Sequence, residues 1–250
     1  MNLEINCFLV IFVILITSLS IIYPISGYIQ QKKLKKSISD GGYNKIKWYR
    51  DTIIWSWIPV LLIILLIPLS NMSLKSIGIK WINIGTPSLN NWIVYSLIAL
   101  YLLYLLYNIY SIIVLKYSKK NRAITATRIP DDFKILLPIT KREKRTWDFV
   151  AISAGITEEI IYRGYLFYAL GIIFPNISLI QILLISSIIF GIGHIYQGKE
   201  AIKPTIIGFV FGVFYIVFNS IIPIIIIHIA QDLVVRDILD DESQKTIKEN

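Results

Sequence analysis

Long intervals without a charged residue govern what this chain can fold into. There is none in the 27 residues between Glu4 and Lys32, the 23 between Asp51 and Lys75, or the 35 between Lys80 and Lys116. Another 35 lie between Arg163 and Lys199, and 28 between Lys203 and Asp232. A helix that crosses the hydrocarbon core of a bilayer needs about 20 mostly apolar residues. Only 16% of the chain is charged, where a soluble domain carries about 25%. The pattern predicts an all-α polytopic transmembrane helix bundle and excludes a soluble domain.

Seven spans are expected, at about 5–29, 53–70, 92–115, 148–174, 178–196, 205–220 and 222–239. The basic residues divide sharply between the loops. Segments 30–52 and 116–146, the pair Lys199 and Lys203, and the tail residues Arg236, Lys245 and Lys248 together hold 22 Lys and Arg. The intervening loop 71–91 holds only Lys75 and Lys80. Basic residues accumulate on the cytoplasmic side, which predicts an external N-terminus and a cytoplasmic C-terminus. The same rule accounts for the net charge of +9 without a nucleic-acid partner. The partner expected from this pattern is the lipid bilayer, and the location a multi-pass cell membrane. The first 29 residues lack a basic start and a small-residue cleavage site, so they read as an anchor helix rather than a cleaved signal.

Other features refine the picture. Cys7 is the single cysteine, which rules out an intrachain disulfide and a cysteine zinc cage. All six tryptophans (48, 55, 57, 81, 92 and 147) fall near expected span edges, where an apolar ring with a polar N–H is favoured. Pro59 and Pro68 are expected to kink or shorten the second span, and Asn219–Pro223 to join the last two tightly. Gly208 and Gly212 form a G-x-x-x-G, a spacing that lets another helix approach closely.

Chemistry has to be sought among ionisable groups inside the spans, where a charge is expensive and marks function by default. Few exist. The fourth span has Glu158, Glu159 and Arg163, the fifth His194, and the seventh His228, Asp232, Arg236 and Asp237. The chain's two histidines are both in this set. Glu159 and Arg163 are four residues apart, so they share a helix face and can pair. His228 and Asp232 repeat that interval, as do Phe190 and His194. Glu158 is rotated by about 100° from Glu159 and has no cation on its own helix face. A carboxylate in that setting suits a general base. Glu158 lies roughly 15 Å into its span at the helical rise. His194, His228 and Asp232 can reach the same depth, so one shared polar pocket is geometrically allowed.

Taken singly, each pair has a structural reading, as an ion pair or hydrogen bond between membrane helices. Taken together, in three spans at matched depth, they point to a site. Two histidines with carboxylates also leave room for a His₂Glu zinc set, though the H-E-x-x-H spacing is missing. A proton-coupled transporter is a further alternative, since such clusters relay protons.

The constellation resembles a known family. Thr157-Glu158-Glu159-Ile160-Ile161-Tyr162-Arg163 is similar to the E-E-x-x-x-R motif of the CAAX-processing and bacteriocin-processing (Abi, type II CAAX prenyl endopeptidase) membrane proteases. Phe190 to His194 matches their F-x-x-x-H, and His228 to Asp232 their H-x-x-x-[ND]. The motifs come in the right order and span about 147–239. That would make 147–239 a catalytic membrane core, preceded by a three-span region at 1–146 and followed by a polar tail at 240–250.

The resemblance implies a glutamic intramembrane endopeptidase that needs no metal or other cofactor. By position, Glu158 would activate water with help from His194. Glu159, held by Arg163, would shape the site, Phe190 would support it, and His228 with residue 232 would stabilise an oxyanion. An ionised Asp232 would repel that oxyanion. It must therefore be protonated, or serve to orient His228. A bacteriocin-immunity or regulatory role, with or without proteolysis, is the alternative that the same resemblance carries.

Overall fold

The structure is a computed structural model that describes residues 3–39, 45–84 and 90–240. The expected tail falls outside the described residues from 241 onward. Among the described residues every regular element is helical. In chain order these are α1 (Leu3–Thr17), α2 (Tyr23–Ser39), α3 (Lys45–Leu66), α4 (Asn91–Tyr117), α5 (Lys119–Thr127), α6 (Asp131–Lys134) and α7 (Lys141–Glu159). They continue with α8 (Leu166–Ile173), α9 (Leu179–Gly193), α10 (Ile202–Phe218) and α11 (Ile222–Val234).

Among the described residues four helical stretches are long and apolar enough to cross a membrane: Cys7–Ser37, Lys45–Leu69, Asn91–Tyr117 and Ile195–Phe218. Leu179–Gly193 is apolar but shorter. The remaining helices of the seven-span expectation differ for physical reasons. The sequence of α7 opens on Lys-Arg-Glu-Lys-Arg and closes on Glu-Glu, and α11 has only 13 residues. The exterior of the bundle is apolar, as lipid requires. On α4, Leu102, Leu103, Leu106 and Ile113 all face outward.

Local sequence explains the helix boundaries. The expected fourth span begins two turns early, at Lys141, because Thr140 and Glu143 form a reciprocal capping box there. Ser178 and Gln181 do the same for α9. Between α1 and α2 the helix widens to a π turn at Ser18–Ile22, where the Tyr23 N–H reaches Ser18 O. Pro24 follows immediately, and a proline ring would clash with the carbonyl four residues back in a regular helix. Pro59 sits inside α3 without ending it. Lacking an N–H, it cannot serve the Trp55 carbonyl. The Tyr23 hydroxyl donates to that carbonyl instead, at 2.7 Å, and so ties α2 to α3.

Among the described residues the core has three parts, one of them formed by Leu115, Leu137, Ile139, Ile238 and Leu239. Leu15, Ile63, Leu66, Tyr165, Leu166 and Phe190 pack α1, α3, α8 and α9 around the segment that follows α7. Tyr101, Phe211, Phe214, Ile224 and Ile227 join α4, α10 and α11. The G-x-x-x-G of α10 faces α9: a Cβ on Gly212 would collide with Leu183, and one on Gly208 would come 3.0 Å from the Phe190 ring. The turn after α10 is made by Asn219 in the left-handed conformation (φ 48°), with Pro223 opening α11.

The described part of the connection from α3 to α4, residues 67–84, docks on the bundle at several points, with Met72 and Ile77 buried. The Gly78 carbonyl accepts from Ile221 N–H at 3.0 Å and the Lys80 carbonyl from the Ser220 hydroxyl at 2.7 Å. The Ile77 carbonyl lies where a Cβ on Gly164 would be only 2.7 Å away. Glycine at 164 is what lets the two backbones approach so closely.

Candidate active site

The last turn of α7 carries Glu158 and Glu159, and a π turn over Ile160–Tyr165 follows at once. Such wide turns are rare and occur mostly inside helices at functional sites. Arg163 lies within it. Its Nη1 donates to Glu159 Oε1 at 2.9 Å and its Nη2 to the Gly208 carbonyl of α10, also at 2.9 Å. The guanidinium sits over the Phe190 ring at 4.8 Å and near that of Phe211 at 5.6 Å. A buried cation thus meets a carboxylate, a carbonyl and two aromatic faces, which together replace the water it has lost.

Glu159 Oε1 also accepts from His228 Nδ1 at 2.7 Å. With Nδ1–H engaged, the other ring nitrogen points the opposite way. His228 Nε2 lies 3.7 Å from Glu158 Oε2 and 3.7 Å from Asp232 Oδ2. Burial separates the carboxylates: the Glu159 side chain is 0% exposed, those of Glu158 and Asp232 25% and 28%. Arg163, Glu159 and His228 therefore form a buried relay, and Glu158 and Asp232 flank its open end. The rotation between adjacent helix positions gives Glu158 and Glu159 these different surroundings.

His194 caps α9. Its Nδ1 lies 2.8 Å from the Phe190 carbonyl, which can only accept, so Nδ1 carries the proton. Its ring lies against Phe190 at 4.7 Å, tilted by 45°. Phe190 in turn lies 6.4 Å from the His228 ring. His194 joins the cluster through this aromatic bridge, with no direct hydrogen bond to the carboxylates. Among the described residues no three His, Cys, Asp or Glu side chains are grouped as metal ligands.

Supports that residue types alone do not reveal hold the site from below. Trp147 Nε1–H donates to the Asp232 carbonyl at 2.9 Å, so this tryptophan ties α7 to α11. Arg236 pairs with Asp148 at 3.0 Å and Lys144 with Asp237 at 3.1 Å. On the α4 side, the Tyr104 hydroxyl donates to Gln231 Oε1 at 2.6 Å. Trp57 turns inward and donates to Ser153 Oγ at 3.3 Å.

Comparison with known proteins bears out the family resemblance. Residues 146–234 match the family model of the type II CAAX prenyl endopeptidase Rce1-like proteins. This is a family of membrane proteases, and the matched segment runs from Thr146 at the base of α7 through the last residue of α11. No curated protein and no solved structure matches the chain.

Proposed function

We propose that the chain is a seven-span glutamic intramembrane endopeptidase with its C-terminus in the cytoplasm. One observation carries the reading: His228 is tied through Nδ1 to the buried Glu159–Arg163 pair, while its Nε2 faces two partly open carboxylates at 3.7 Å. Such an arrangement separates roles. The inner carboxylate orients, and Glu158 is left to do chemistry.

In this reading a water lies between Glu158 and His194 Nε2. Glu158 takes its proton as the oxygen attacks the scissile carbonyl. His228 Nε2–H donates to the oxyanion that develops, and its imidazolium form is offset by the surrounding carboxylates. Glu158 then returns the proton to the departing amine. The match over 146–234 supports proteolysis as the reaction class. The substrate is a membrane-associated peptide or protein, with or without a prenyl group.

The test compares membrane peptides from cells that carry the parent chain with those from cells that carry Glu158→Gln. Purified proteins are then assayed on the peptides that differ. The parent is expected to cleave with and without chelator, and Glu158→Gln to be inactive at unchanged thermal stability. Retention of most activity by the variant would remove Glu158 from the base role.

A further inference from the structure

We infer that Tyr196 is a positioning residue for His194, and that Gly27 of α2 is the seat that keeps Tyr196 in place. The inference rests on His194 belonging to the site. It reaches beyond the segment matched by the family model, because α2 lies far outside 146–234.

The geometry of His194 is the starting point. As the cap of α9 it has φ −104° and ψ 8°, and an irregular segment, Ile195–Ala201, follows with Gly198 at φ 64°. No continuing α-helix fixes the direction of the ring. Three contacts do. Nδ1–H is held by the Phe190 carbonyl at 2.8 Å, Phe190 covers one side at 4.7 Å, and Tyr196 stacks at 6.1 Å with the rings 28° from parallel. Once Nδ1 is engaged and the ring is held by both aromatics, Nε2 has a fixed direction.

Among the described residues the Tyr196 hydroxyl has one hydrogen bond, a long one from Gln197 Nε2 at 3.4 Å. Its ring is held by packing on α2, where a Cβ added to Gly27 would lie 2.9 Å from Tyr196 Cδ1 and 3.3 Å from Cγ. These are atoms at the root of the ring, so any larger residue at 27 must displace the whole ring. The chain of contact runs from α2 through Tyr196 to His194.

The experiment uses the intact protein in lipid nanodiscs with ¹⁵N-labelled histidine rings, since the chain has two histidines and His228 serves as the internal reference. Tyr196→Phe keeps the stack and is expected to leave both the His194 ring signals and turnover unchanged. Tyr196→Leu should alter the His194 signals, leave those of His228 in place, and lower kcat by roughly 10–100-fold with little change in KM. Gly27→Ala, which helix propensity alone would favour, should produce the same shift and loss without lowering thermal stability. In a Tyr196→Leu background it should add nothing further.

Unchanged His194 signals in Tyr196→Leu and Gly27→Ala would overturn the inference, as would a Gly27→Ala effect that persists without Tyr196. A loss of turnover in Tyr196→Phe would also overturn it, by giving the hydroxyl the role assigned to the ring. If the parent cleaves nothing while the His194 signals still respond, the positioning contact stands and the protease reading fails.

Discussion

Asp232 poses the sharpest question of charge at the level of single residues. Its carboxyl stands 3.7 Å from the same His228 nitrogen that Glu158 approaches. In the proposed mechanism a second negative charge beside the developing oxyanion would oppose the reaction, so Asp232 would have to be neutral there or act only on the imidazole. Asn has nearly the same shape and no charge. Asp232→Asn is therefore expected to keep most of its turnover, while His228→Ala should lose roughly 10²–10³, the usual cost of an oxyanion donor. Steady-state rates of the two variants, each checked for folding, decide the matter. A folded but inactive Asp232→Asn protein would take that residue out of the neutral role and give it a charge the reaction needs.

At the level of elements, the Glu159–Arg163 pair joins three helices. Arg163 reaches α10 through the Gly208 carbonyl, and Glu159 reaches α11 through His228. Removing one partner leaves an uncompensated charge with almost no exposure. Glu159→Ala and Arg163→Ala should each destabilise the bundle by about 3–5 kcal/mol and lose activity as well. Thermal unfolding in detergent measures the first effect, and two variants as stable as the parent would show that the pair carries no such load. The pair itself was legible in the sequence, because two ionisable residues at i,i+4 in an apolar run are visible as letters. Its third partner was not. A backbone carbonyl such as that of Gly208 belongs to every residue type, and only packing selects which one is offered. The π turn at Ile160–Tyr165 has no residue code either, and the role of Gly164 appears only when the Ile77 carbonyl is seen against it.

For the whole molecule, the same contrast holds between what charge patterning reveals and what it hides. Long apolar runs located the helices but not all of their ends: α2 continues to Ser39, α3 begins at Lys45 rather than 53, capping chemistry at Thr140 carried α7 outward, and α11 stops at Val234. Matched depth gave the expectation that Glu158, His194, His228 and Asp232 share one pocket, and Glu158 and Asp232 do flank His228, but nothing in the spacing foretold the bond from His228 to Glu159. Contacts made by aromatic faces did not follow, since Tyr196 and Phe211 look like any other apolar residue in a run. Orientation is the whole-molecule prediction. With 22 basic residues on alternate connections against two, a fluorescent protein fused to the C-terminus should be bright inside the cell, and an alkaline phosphatase fused there inactive. The reverse pattern would invert the topology and place the site in the outer half of the bilayer.

The packed connection between α3 and α4 also sets an order of events in biosynthesis. Its backbone is held by Phe218, Ser220 and Ile221, and the Lys80–Ser220 bond alone closes a separation of 140 residues. A ribosome delivers the two ends of that bond many seconds apart, at about 5–20 residues per second. The three long helices made first must therefore wait with this connection undocked. Only when the α10–α11 hairpin arrives can this end of the bundle close. The catalytic histidine candidate on α11 comes with the same hairpin, so neither the buried His228–Glu159 bond nor the docking of this connection can form before that hairpin has been made.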